Sequence, residues 1–327
     1  MATLLLDRTD LEIRITDGAL ALYQNSLRTQ TVPLRMIDRL VIQGARTRLD
    51  SSVLIKLAEA GVSTLLLSPR ISRQVAIVLG PAHNDAAVRL AQTGRVMDAS
   101  FCDNWARQIV LTKLRRQHRL LTKAEARRPD ARKPLFDARK GIADALVKAS
   151  EESNTISRLR GLEGSAARAY FGGYTALFAP ALDFTGRNRR PPRDPVNACL
   201  SLAYTMLHFE AVRATHGAGL DPLLGFYHRP AFGRESLACD LIEALRPSAD
   251  EWVWQQFSTG QLRPEHFNRD KGACLLGKAG RGHFYAGWER FASLPRRWLR
   301  QRCQELANQL RREGEPLLEQ DNDEEEF

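Results

Sequence analysis

The hydrophobic pattern of this chain changes period once, near residue 80, and that change limits the fold more than any other feature. Before it, apolar residues come in short alternating runs: Thr3 to Leu6, Leu11 to Thr16, Ala19 to Tyr23, Gln30 to Leu34, Arg39 to Gln43, Val62 to Leu67 and Gln74 to Leu79. Such runs read as strands, and Asp-Gly and similar turn residues separate them. Asp50-Ser51-Ser52 opens one helix through Ala60, which Gly61 ends. Beyond residue 80 the period is helical. Phe101 to Leu121 places Trp105, Ile109, Val110, Leu114 and Leu120 on one stripe, and leaves Arg107, Lys113, Arg115, Arg116, His118 and Arg119 for a solvated basic surface. Further helices are expected over Pro134 to Lys148, Glu152 to Phe178, Val196 to Ala214, Ser236 to Leu245 and Leu294 to Arg312. The expected class is α+β: a β-rich, sandwich-like domain over 1–80, a linker over 81–85 and an all-helical domain over 86–312.

Charge narrows the partners. With eight acids and no base from Glu313 onward, the net +10 resolves into +18 on the first 312 residues and an acidic tail, 313–327, expected to be disordered. An excess of that size draws polyanions. Forty of the 48 basic residues are arginines, which suit bidentate phosphate contacts. The five cysteines are scattered and never spaced C-x-x-C, which favours reduced thiols in a cytoplasmic protein over a disulfide frame or zinc knuckle. No apolar run nears the ~20 residues of a membrane span, and no signal peptide opens the chain. The glycine-rich Gly277 to Gly282 lacks a P-loop pattern, and His208-Phe209-Glu210 lacks the P-C-x-x-C that a deaminase needs. The tryptophans Trp252, Trp254, Trp288 and Trp298 suit core or interface packing better than base stacking.

Four separated segments carry the chemistry. On the helix from Ser236, Asp240 and Glu243 share a flank beside an apolar stripe, so both can offer oxygens to one cation. Glu163 sits among small residues (Ala166, Ala167) near the burying side of its helix, where a carboxylate has to be paired, protonated or metal-bound. His228 follows Gly225-Phe226-Tyr227 in a loop able to aim an imidazole inward. Asn197 and Tyr204, seven residues apart, share one helix face, as site groups or as core polar residues.

In order along the chain, E-G-S-A-A-R-A-Y-F, N-R-R-P-P-R-D-P-V-N-A-C-L-S-L-A-Y, D-P-L-L-G-F-Y-H and R-E-S-L-A-C-D-L-I-E-A-L-R-P resemble the CRISPR-associated spacer-acquisition integrase family, from about Leu162 to Pro247. The resemblance implies a metal-dependent DNA endonuclease and strand transferase that inserts short DNA fragments into a CRISPR array. It implies Glu163, His228 and Asp240 as catalytic ligands to Mn²⁺ or Mg²⁺, with Glu243 an auxiliary acid of open role. Arg187, Arg189, Arg190 and Arg193 would grip DNA phosphates, with Asn197 and Tyr204 beside them. The implied partners are double-stranded DNA with single-stranded 3′ ends, CRISPR repeat DNA, a second copy of the chain paired through the front domain, and a small ferredoxin-fold adaptation protein. A transposon-type integrase of the same superfamily, which tends to carry an added C-terminal DNA-binding domain, and a non-catalytic DNA-binding scaffold are the alternatives.

Overall fold

A computed structural model describes the chain except for residues 1, 45, 69–73, 81, 82, 84, 189, 190, 271 and 319–327. The front unit holds β1 (Ala2–Leu6), β2 (Leu11–Thr16), β3 (Ala19–Gln24), β4 (Leu27–Pro33), β5 (Ile37–Ile42), β6 (Arg48–Leu49), α1 (Ser51–Glu59), β7 (Ser63–Leu67) and β8 (Gln74–Val78). They form two four-stranded sheets, ordered β4-β3-β2-β6 and β1-β5-β7-β8. Asp17 and Gly18 both take positive φ (51° and 71°), as the tight turn between β2 and β3 requires, and Asn25-Ser26 do the same (52° and 63°) before β4.

In the second sheet β1, β5 and β7 run parallel and β8 antiparallel. A sheet of this kind needs cover on both faces, and the alternation of its residues supplies two apolar faces. Leu6, Leu40 and Ile42 pack with the other sheet and with Val53 and Leu57 of α1. Val41, Leu65 and Leu67, one residue out of phase, belong instead to the core of the helical body. The sheet is thus a wall shared by both halves of the chain.

The body contains α2 (Ala86–Met97), α3 (Ala99–Arg127), α4 (Arg132–Ala149), α5 (Ile156–Thr175), α6 (Pro195–Gly217), α7 (Ser236–Glu243), α8 (Arg246–Ser258), the hairpin β9 (Phe267–Asp270) and β10 (Ala273–Leu276), and α9 (Lys278–Leu318). Trp105, Val110, Leu114 and Leu120 of α3 are buried, as their stripe predicts, and so are Trp252, Trp254 and Trp288. Three elements went unanticipated: α2, α8 and the β9–β10 hairpin. Asp85, placed in the linker, caps α2 by accepting from the Val88 N–H at 3.2 Å. The long helix α9 overruns its expected end, so residues 313–318 are helical and not part of a disordered tail. A Cβ on Gly314 would lie 2.0 Å from the Ala87 carbonyl oxygen, so only glycine lets α9 cross α2 this closely.

Polar groups cross between the halves as well. Glu210 of α6 pairs through Oε1 with Arg39 of β5 and Arg296 of α9, each at 2.7 Å, and through Oε2 with Arg213 at 3.3 Å. Arg213 also donates to the Ser63 hydroxyl at 2.8 Å. Among the described residues, no helix is long and apolar enough to cross a membrane.

Candidate functional site

The site forms where α3, α5 and the loop leading into α7 meet. Gly225 makes that loop possible. A Cβ there would stand 2.5 Å from the Ser236 carbonyl carbon and 2.8 Å from the His228 carbonyl oxygen. Without a side chain the backbone folds tightly against the start of α7, and Gln92 of α2 pins the strand of chain just before it. Its amide donates to the Asp221 and Leu224 carbonyls and accepts from the Asp221 N–H, all at 2.9 Å.

The tight loop delivers three consecutive backbone N–H groups to Asp240, which is fully buried. Oδ2 accepts from Phe226 and Tyr227 at 2.8 and 2.9 Å, and Oδ1 accepts from His228 at 2.8 Å. The His228 Nδ1 lies 2.7 Å from the same Oδ1. A carboxylate has about four acceptor positions, and all four are occupied here. In this structure Asp240 holds the loop and fixes the imidazole. Because the carboxylate accepts, Nδ1 carries the hydrogen, and Nε2 is the ring nitrogen left for another partner.

Glu243, one turn along α7, is buried too, but its oxygens meet cationic side chains where those of Asp240 meet the loop. Its Oε2 accepts from the Lys113 ammonium at 2.6 Å and its Oε1 pairs with Arg246 at 3.2 Å. Burial works against ionisation, but Arg246 and Lys113 outweigh it and hold the Glu243 carboxyl down at about 2. The same Lys113 ammonium donates to Glu163 Oε1, and the Tyr227 hydroxyl donates to Glu163 Oε2. Burial, then Glu163, push the Tyr227 phenol far above its ordinary range, so it stays a donor. Two carboxylates from different helices thus share one cation, with His228 on the loop between them. Among the described residues no group of three or more His, Cys, Asp or Glu is gathered into a ready metal cage. The ammonium of Lys113 stands between the carboxylates instead. The donor set of two carboxylates and one imidazole nitrogen nevertheless fits Mn²⁺ or Mg²⁺ in chemistry.

Lys113 was assigned to a solvated basic face, yet it is buried. Its signal was present in the spacing: it lies four residues after Ile109 and eight after Trp105, on the inward stripe of α3.

The expected DNA-binding group divides. Asn197 is 0 % exposed, and both ends of its amide are satisfied. Its Nδ2 donates to the Gly186 carbonyl at 2.8 Å and to Asp194 Oδ2 at 2.6 Å, while its Oδ1 accepts from Arg187 at 2.8 Å and from the Asn188 N–H at 3.0 Å. It ties the 186–194 loop to α6, with its amide fully engaged within the protein. Tyr204 is likewise turned inward, its hydroxyl donating to Asp250 at 2.5 Å with Arg187 and Arg246 over its ring at 5.4 and 5.0 Å. Burial raises the Asp250 carboxyl to about 6 against the opposing hydrogen bonds from Tyr204 and Tyr170. Arg193 is exposed, and Arg189 and Arg190 lie outside the described residues. Part of the basic face expected on α3 lies in adjoining clefts of about 340 and 350 Å³ between α3 and α9. Arg116, Arg119, Lys123, Arg302 and the half-buried Trp298 line them.

A front unit of two sheets joined by a shared wall to a helical body is a fold that recurs in solved structures. A Cas1 protein from Thermotoga maritima superposes with a TM-score of 0.83 at 21% identity, covering 95% of this chain and 97% of that one. A casposase bound to its integration product gives 0.85, also at 21% identity, over 96% and 91%. In sequence, a CRISPR-associated endonuclease Cas1 of Thermodesulfovibrio yellowstonii is 34% identical over 95% of this chain and 97% of its own length. One from Thermus thermophilus is 33% identical over 85% and 83%. The family model described as "CRISPR associated protein Cas1" matches residues 4–290, and the chain belongs to that family.

Proposed function

We propose that this chain is a metal-dependent DNA endonuclease and integrase that inserts short DNA fragments into a CRISPR array. Its relatives bear the name Cas1 endonuclease, and the fold recurs in a casposase bound to its integration product and in a Cas6-RT-Cas1–Cas2 complex. The observation that carries the reading is the shared cation between Glu163 and Glu243, with His228 Nε2 freed by the Asp240 contact at Nδ1.

Glu163, Glu243 and His228 Nε2 would hold Mn²⁺ or Mg²⁺, Mn²⁺ tolerating the nitrogen better. Such an ion supplies Lewis acidity at a phosphodiester and offsets the charge that gathers on its oxygens. Asp240 orients the imidazole, Arg246 orients Glu243 and Tyr227 orients Glu163, so each donor is set before substrate arrives. In the reaction a DNA 3′-hydroxyl oxygen forms the new bond to phosphorus, the bond to the departing strand's 3′-oxygen breaks, and that oxygen gains the proton. Water in place of the 3′-hydroxyl gives nuclease action. Protonated Tyr227 takes no nucleophilic part. Arg193 and the basic clefts between α3 and α9 offer phosphate contacts. A homodimer paired through the front unit, working with a Cas2-type partner, completes the assembly.

The test is joining of a labelled fragment with free 3′ ends into a repeat-containing plasmid, with Mn²⁺ and with EDTA. Glu163→Ala and His228→Ala are expected to lower joining by roughly 10²-fold or more, as removal of a charge-stabilising group does. Undiminished joining by both variants, or full activity in EDTA, would refute the site.

A further inference from the structure

The two carboxylates that would take a metal are already bridged by a side chain of the protein. Lys113 comes from α3, while Glu163 and Glu243 come from α5 and α7, so three separate helices meet at one ammonium. Two carboxylates so placed repel each other unless a cation lies between them. The oxygens that hold the ammonium, Glu163 Oε1 and Glu243 Oε2, are the ones a divalent ion would need.

A second observation lies one turn away. Gln117 is 2% exposed, and its side-chain Oε1 is buried without any hydrogen-bond partner. Buried acceptors are nearly always satisfied, so a lone one is open to a bond made in another state. Gln117 follows Lys113 by four residues on the same helix, which puts the two side chains on one face at neighbouring positions. The flexible four-carbon stem of lysine spans that step.

We propose that Lys113 is an internal stand-in for the metal: it keeps the site assembled without a divalent ion, and swings toward Gln117 Oε1 when one binds. The proposal rests on the reading of Glu163 and Glu243 as ligands. Arg246 on Glu243 Oε1 and Tyr227 on Glu163 Oε2 stay in place in both states, so the exchange is confined to the two inner oxygens. Lysine and metal then compete, and the site trades affinity for order in the metal-free protein.

Binding of Mn²⁺ to the full-length, EDTA-stripped protein, followed by the electron paramagnetic resonance of the free ion, tests this without reference to activity. Lys113→Met should bind Mn²⁺ roughly tenfold more tightly, as loss of one close competing charge implies. Its metal-free form should melt below the wild type, and Mn²⁺ should restore the difference. Lys113→Arg, which keeps the charge, should bind no more tightly than the wild type. Gln117→Leu, which removes the second resting place, should bind several-fold more weakly. If Lys113→Met binds no more tightly while Glu163→Gln abolishes binding, the stand-in role falls and the ligand assignment survives. If Glu163→Gln binds Mn²⁺ as the wild type does, the ligand assignment itself fails. Should Lys113→Met not fold, unchanged or tighter binding by Gln117→Leu overturns the exchange.

Discussion

Asp240 and Glu243 show how two acids three residues apart on one short helix come to different work. On the helix surface they share a flank, and spacing alone offers both to a cation. What separates them is the loop from Gly225, which spends its three N–H groups on Asp240 and none on Glu243. That depends on a fold-back around residues 225 to 228, for which a helical pattern holds no sign. Glu163 stands out locally as an acid among alanines, whereas a lone loop histidine such as His228 does not, and its expected role comes from the resemblance of the four segments taken together. Lys113 was legible only in position, since its residue type argued for water. The difference predicts separate phenotypes. Glu243→Gln should abolish Mn²⁺ binding, whereas Asp240→Asn should weaken binding and strand transfer by about 10- to 100-fold, the usual cost of losing an outer partner. Titration of Mn²⁺ against both variants decides it, and equal loss would return Asp240 to the ligands.

At the scale of elements, prolines account for two of the differences between pattern and structure. Pro247 reads as the end of the helix from Ser236, but it also sits in the first turn of α8, where its missing N–H costs nothing. One residue stops one helix and starts the next. Pro295 suggests a helix beginning near Leu294, while α9 begins at Lys278 and carries Pro295 inside it, buried. The helix α2 was hidden by the turn residues before it and by Gly94 within it. The acid-rich end of the chain reads as tail, yet Glu313 pairs with Arg95 at 2.9 Å and Gly314 packs on Ala87. Gly314→Val should therefore destabilise the fold by about 1–3 kcal/mol, the range for overpacking, seen as a lower urea midpoint. A variant as stable as the wild type would show that α9 and α2 do not meet as described.

For the molecule as a whole, the pattern gave two units, and the structure joins them through one wall. The alternation in β5 and β7 was legible as strand but not as strand buried on both sides, because the same apolar runs serve either case. Nor does a sequence show that Glu210, dismissed with a failed deaminase motif, would be the buried carboxylate binding Arg39, Arg213 and Arg296. Removing one partner of a buried ionic cluster leaves the others uncompensated, so Glu210→Ala should cost about 3–5 kcal/mol. Hydrogen exchange should rise in β5, β7 and α6 together; protection lost in α6 alone would mean that the halves are held by apolar contact only.

The anchoring of the His228 loop has a bearing on how such a site drifts over generations. Its three donors to Asp240 are main-chain groups, which every residue except proline supplies alike. Replacement at 226 or 227 can alter packing or the tyrosine contact and still leave the imidazole tethered. The tether itself has only two points of genetic vulnerability, the glycine that lets the chain turn and the carboxylate that receives it. Tolerance to change at the rim and intolerance at those two positions can coexist within sixteen residues.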